Sequence, residues 1–130
     1  RVAQRRFNFD FYQHHLHDLP GVLFLPEPDS SHSNRWLSCL LLDPESSGGI
    51  DREALRLHLA QQAIESRPLW KPMHLQPLFQ EAPYFGGQVA ERLFEQGLCL
   101  PSGSNLTDTD RTRVVEGIRE VLKQGPATTP

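Results

Sequence analysis

The chain is poor in the residues that most often mark chemistry in a sequence. Its 130 residues include two cysteines, one methionine and two lysines, Lys71 and Lys123. Cys39 and Cys99 each stand alone inside an apolar run. Two buried thiols of a cytosolic protein are therefore expected, rather than a disulfide or a metal pair. No apolar run approaches the ~20 residues of a membrane-spanning helix. The polar stretch Arg1 to Asp10 lacks the pattern of a signal peptide. No G-x-S-x-G, Walker loop, HExxH or G-x-G-x-x-G occurs. A net charge of −3 speaks against a general nucleic-acid binder. These absences leave a cytoplasmic protein with neither a membrane nor a nucleic-acid partner, and with no catalytic or metal-ligating motif of the usual kinds.

What is present is ordinary globular sequence, 38% hydrophobic and 22% charged. It is long enough for one domain around one core. Phe9, Tyr12, Leu16 and Leu19 recur at helical spacing and predict a helix from near the start to His17. Val22 to Leu25 reads as a short strand. Trp36 to Leu42 reads as the central one, apolar enough to be buried on both faces. Asp51 reads as a helix cap, with Ile50 and Leu55 as a hydrophobic staple. That helix is expected to reach Gln62, and Ala63 to Ser66 to form a third strand. Gln88 to Gln96 reads as a helix stopped by Gly97, and Leu98 to Leu100 as a further strand. Thr107 with Asp110 predicts a capped final helix. Val114, Ile118, Val121 and Leu122 are its buried stripe, and Gly125-Pro126 its end. The fold class is thus α/β, a sheet of three to four strands flanked by helices. Residues 1–125 form the domain, and 126–130 are expected to be a disordered tail.

The stretch that stands out is Glu65 to His74, E-S-R-P-L-W-K-P-M-H. Pro68 and Pro72 push the preceding Arg67 and Lys71 out of the helical region, so a stiff extended loop is expected. It offers two cations, an imidazole and a flat ring, the equipment for an anionic, partly planar ligand. A connecting loop with Trp70 packed in the core is equally open from spacing alone.

Other clusters carry less. His14 and His17 would share a helix face and could grip a metal, but no partner at ligand spacing is evident beyond Asp18, and a solvated helix end is the favoured reading. Lys71, near Arg67, could be an activated amine, but a binding or surface lysine is favoured. Asn34-Arg35 could bond an anion or simply close its loop. Ser102-Gly103-Ser104 is too generic to be a phosphate loop.

Four motifs occur in order: S-N-R-W at Ser33 to Trp36, D-R-x-x-L at Asp51 to Leu55, E-S-R-P-L-W-K-P-M-H-L-Q-P at Glu65 to Pro77, and G-L-C-L-P-S-G-S at Gly97 to Ser104. Together they resemble the C-terminal domain of the DegT/DnrJ/StrS sugar-nucleotide aminotransferases, over nearly the whole chain. The resemblance implies a small domain of a fold-type I, pyridoxal phosphate-dependent enzyme, with an antiparallel or mixed sheet. It implies a homodimeric parent that moves an amino group from glutamate to a nucleotide-linked keto-sugar for surface glycans, UDP-4-keto sugars being the nearest match. Arg67, Trp70, Lys71 and His74 would line the substrate side of the cleft. The cofactor lysine would lie in a larger domain outside these residues, so no catalytic residue and no cofactor are expected in this piece. A chain that starts in mid-helix without an initiator Met fits that expectation. The alternative is a stand-alone, non-catalytic α/β module that binds an anion or a protein partner.

Overall fold

The computed structural model describes residues 1–124, and the expected stop at Gly125-Pro126 and the tail 126–130 lie outside them. Helix α1 spans Val2–Leu16 and buries Phe9, Tyr12 and Leu16, leaving His14 and His17 exposed. Helix α2, Arg52–Gln61, starts where Oδ1 of Asp51 accepts the Ala54 N–H at 2.7 Å. Leu55 is buried one turn in, and Ile50 packs against the same core, as the staple requires. Helix α3 is Val89–Gln96, and α4 is Asp108–Gln124. At the start of α4, Oγ1 of Thr107 accepts the Asp110 N–H at 3.2 Å, and Oδ2 of Asp110 accepts the Thr107 N–H at 2.8 Å. This reciprocal box satisfies two donors that the helix itself leaves unpaired.

Among the described residues, four strands form one sheet: β1 (Val22–Phe24), β2 (Ser38–Leu42), β3 (Arg67–Pro68) and β4 (Gly97–Leu100), in the order β1-β2-β4-β3. Every neighbouring pair is antiparallel. The class is therefore α/β with a fully antiparallel sheet. One face carries Val22, Leu40, Leu42, Leu98 and Leu100, and packs with residues of α1, α2 and α4 in a single core. Val114, Ile118 and Leu122 of α4 are buried in that core and Val121 is half-buried. The opposite face carries Leu23, Leu41, Cys39, Cys99 and Gly97, because cross-strand partners share a face.

Three local expectations need correction. Strand β2 begins at Ser38, and Trp36 lies ahead of it, 58% exposed. Arg35 takes φ +46, a left-handed turn that breaks the extended run before Leu37. The strand is also not buried on both faces, since Cys39 and Leu41 are only half-buried.

Ala63 to Ser66 is not a strand. The Ala63 N–H donates to the Ala60 carbonyl and the Ile64 N–H to the Leu59 carbonyl, which closes α2 with a Schellman turn. That turn needs a left-handed residue, and Ala63 supplies it at φ +55. Extended pairing resumes only at Arg67, opposite Cys99. Gly97 does follow α3, but it is extended at φ −90 and already belongs to β4. What makes it glycine is space: an added Cβ would lie 2.1 Å from Cδ1 of Leu69 and 2.4 Å from the Leu93 carbonyl oxygen.

Candidate functional site

The loop after β3 is non-helical through Lys71 and then closes in two 3-10 turns, Met73–Leu75 and Pro77–Phe79. Its first half hangs on the sheet edge, with the Leu69 N–H donating to the Gly97 carbonyl at 3.1 Å. Trp70 then projects outward, 67% exposed, so it is not a core residue. Its ring meets Trp36 at a centroid distance of 6.1 Å and a tilt of 30°. Lys71 is exposed, and its carbonyl accepts the Gln76 side-chain amide at 3.1 Å, which folds the loop back on itself. Arg67 is exposed as well, and both Nε and Nη2 donate to Oε1 of Glu65.

His74 is the most enclosed of the four. Its Nε2 lies 2.9 Å from Oε1 of Glu91 on α3, and its ring stacks on Tyr84 at 3.8 Å. The Tyr84 hydroxyl in turn donates to the Gly87 carbonyl at 2.6 Å. His74 is thus a tether between the loop and α3. Among the described residues, none of Arg67, Trp70, Lys71 and His74 hydrogen-bonds to another of the four. The loop presents Trp70 and Lys71 outward, holds Arg67 against a carboxylate and fastens His74 inward.

Two of the lesser candidates are engaged in local structure. Arg35 lies over the Phe9 ring at 3.6 Å, and Oδ1 of Asn34 accepts the Trp36 N–H, so this pair closes its loop. Ser102 Oγ accepts the Ser38 N–H and donates to the Leu100 carbonyl, both at 2.7 Å, which spends it on the turn after β4. His14 and His17 gather no metal-binding cluster, among the described residues. Lys71 and Lys123 are both exposed rather than desolvated.

The sequence model of the DegT/DnrJ/EryC1/StrS aminotransferases matches residues 1–119. This chain belongs to that family. EpsN of Bacillus subtilis (strain 168), assigned as a pyridoxal phosphate-dependent aminotransferase, is 46% identical over 120 residues, 89% of this chain and 30% of that protein. The GDP-perosamine synthase of Escherichia coli O157:H7 is 31% identical over 119 residues, 92% of this chain and 31% of that protein. The crystal structure of DesI in the presence of its TDP-sugar product superposes with a TM-score of 0.82 at 27% identity, covering 95% of this chain and 31% of that one. The chain therefore spans about a third of the length of the family members it matches.

Within the family's long motif, sequence reasoning assigned the cations and the rings but not the acids. Glu65 is in the motif and faces Arg67, two residues away, so an ion pair between them was legible in principle. Glu91 and Tyr84 were not, because they meet His74 only through the fold. Also unforeseen is a groove of about 500 Å³ beside the β3 edge, walled by Ile64, Arg67, Cys99, Leu100 and Val114.

Proposed function

We propose that this chain is the C-terminal small domain of a pyridoxal phosphate-dependent aminotransferase, and that its Glu65–His74 loop lines the cleft for a nucleotide-linked keto-sugar. The observation that carries the reading is the pair of exposed tryptophans beside an exposed lysine. Trp36 and Trp70 offer flat apolar surface, and Lys71 a mobile cation, on a loop stiffened by two prolines. A nucleotide sugar needs both: stacking for its base or sugar face, and cations for its diphosphate. The GDP-perosamine synthases and the TDP-sugar product named with DesI support a nucleotide-linked substrate. Arg67 would join the diphosphate contact after exchanging Glu65 for phosphate, and His74 would set the position of the loop against α3.

Pyridoxal phosphate supplies an aldehyde that accepts and returns an amino group. Its resident site needs a desolvated lysine and several phosphate donors. Lys71 and Lys123 are exposed, and Ser102 is spent on its own turn, so the described residues do not fit that site. In this reading the cofactor lysine belongs to the rest of the enzyme, which acts as a cytoplasmic homodimer with glutamate as donor. The test is to incubate the full-length protein with pyridoxal phosphate, glutamate and a panel of nucleotide-linked 4-keto-sugars. Release of 2-oxoglutarate together with an aminated sugar is the expected result. No turnover across UDP-, GDP- and TDP-linked keto-sugars would refute it.

A further inference from the structure

Cys39 of β2 and Cys99 of β4 are register partners, and their sulfurs lie 3.6 Å apart. The backbone around them sets what that closeness can become. In an antiparallel strand the N–H and C=O of a residue point to the same neighbour, and the side alternates along the chain. The Leu69 N–H donates to the Gly97 carbonyl, so Gly97 turns its polar groups toward β3. Cys99, two residues on, does the same. The Cys39–Cys99 pair is therefore a non-hydrogen-bonded one, whose Cα atoms approach to about 4.5 Å. That lies within the range of about 4.4–6.8 Å that a disulfide spans. Both side chains lie on the outer face of the sheet, where Cys39 is half-buried and Cys99 buried, so a small molecule reaches the pair from that face.

From this arrangement we infer that Cys39 and Cys99 form a reversible cross-strand disulfide, with Cys99 as the attacking thiol and a low-molecular-weight disulfide as the oxidant. The Cys99 thiolate displaces one thiol from the oxidant and forms a mixed disulfide. Cys39 gives up its proton to solvent and displaces the second thiol, leaving an S–S bond between the strands. The two cysteines lose two electrons and two protons, and the oxidant is reduced to two thiols. The hydrogen bond between the sulfurs favours this order, since it lowers the Cys99 thiol below its ordinary value and, together with burial, raises Cys39. Arg67 is the register partner of Cys99 on the other side. Arg67, Cys99 and Cys39 thus form one row across the outer face of the sheet, and the bond would form directly beside the strand that launches the loop.

The test uses the full-length protein treated with oxidised glutathione, then differential alkylation and peptide mapping. The expected result is a linked Cys39–Cys99 peptide with neither thiol alkylated, and recovery of both thiols after dithiothreitol. In Cys39→Ser the reaction should stop at the first step and leave glutathione on Cys99. If that variant fails to fold, Cys39→Ala provides the same trap. Two thiols that stay alkylatable throughout, or glutathione retained on Cys39 in the unmutated protein, would overturn the inference.

Discussion

Oε1 of Glu65 accepts from both Nε and Nη2 of Arg67, at 2.8 and 2.5 Å, with the two side chains 74% and 77% exposed. An exposed pair of this kind contributes about 0.2–1 kcal/mol to stability. It therefore acts less as a brace than as a rival to any phosphate that Arg67 would bind. On the proposed reading, Arg67→Ala should weaken nucleotide-sugar affinity roughly ten- to a hundredfold, the worth of a charge-assisted hydrogen bond. Glu65→Gln should act in the opposite direction, tightening affinity by up to about fivefold. Binding titrations on both variants decide it. Two variants that leave affinity alone would return the loop to scaffold.

The exposed tryptophans should separate in the same way. Trp70→Ala removes little buried surface, so its effect on melting temperature should be small, close to the ±0.5 kcal/mol of ordinary surface changes. On the proposed reading it should weaken substrate affinity about tenfold, as the loss of one stacked ring does. A collapse of the melting temperature with unchanged affinity would show the Trp36–Trp70 contact to be structural.

Gly97→Ala should destabilise the fold by about 1–3 kcal/mol, as overpacking does. Leu69 could swing aside, but the Leu93 carbonyl oxygen, 2.4 Å from the new methyl, belongs to the backbone of α3. A urea midpoint equal to that of the unmutated protein would refute this.

Ala63→Gly should do the reverse. A left-handed alanine costs roughly 1–2 kcal/mol that glycine does not, offset in part by the greater freedom of glycine in the unfolded chain. A net gain of about 0.5–1 kcal/mol in the urea midpoint free energy is expected.

The Glu27 carboxyl is pulled down to about 2 by hydrogen bonds from Arg6 and from the Ser33 N–H. A carboxylate lowered on folding adds stability above its unfolded pKa and loses it as pH falls toward the folded one. Glu27→Gln should thus be less stable than the unmutated protein at pH 7. The gap should close between about pH 4.5 and pH 2. A gap that persists unchanged at pH 2 would sink this assignment.

What was legible in the sequence was whatever the chain writes locally. The caps at Asp51 and Thr107 fix two helix starts through residues three apart, and the α4 stripe repeats every turn. Sequence alone also marked the stretch after Glu65 as extended, because proline acts on its neighbour, but it missed the two-residue strand β3 and the 3-10 turn that carries His74. The misreadings share a cause. Ala63 carries no sign that it will turn left-handed, because the Schellman bonds reach back to Leu59 and Ala60. Trp36 looks like strand by composition, and only Arg35 at positive φ detaches it. The partners that define the loop, Glu91 and Tyr84 for His74 and Trp36 for Trp70, are brought in by the sheet and leave no spacing to read.

Helix α3 ends at Gln96 and strand β4 begins at Gly97, with no linker residue between them. The junction is therefore intolerant of length. One residue inserted there would turn β4 over, since strand side chains alternate with a period of two. Leu98 and Leu100 would face outward and Cys99 would enter the core. The joint also has no slack to absorb motion. Because Glu91 of α3 holds His74, a rotation of that helix would reach the loop through the side chain and the sheet through the backbone, making α3 a lever with two outputs.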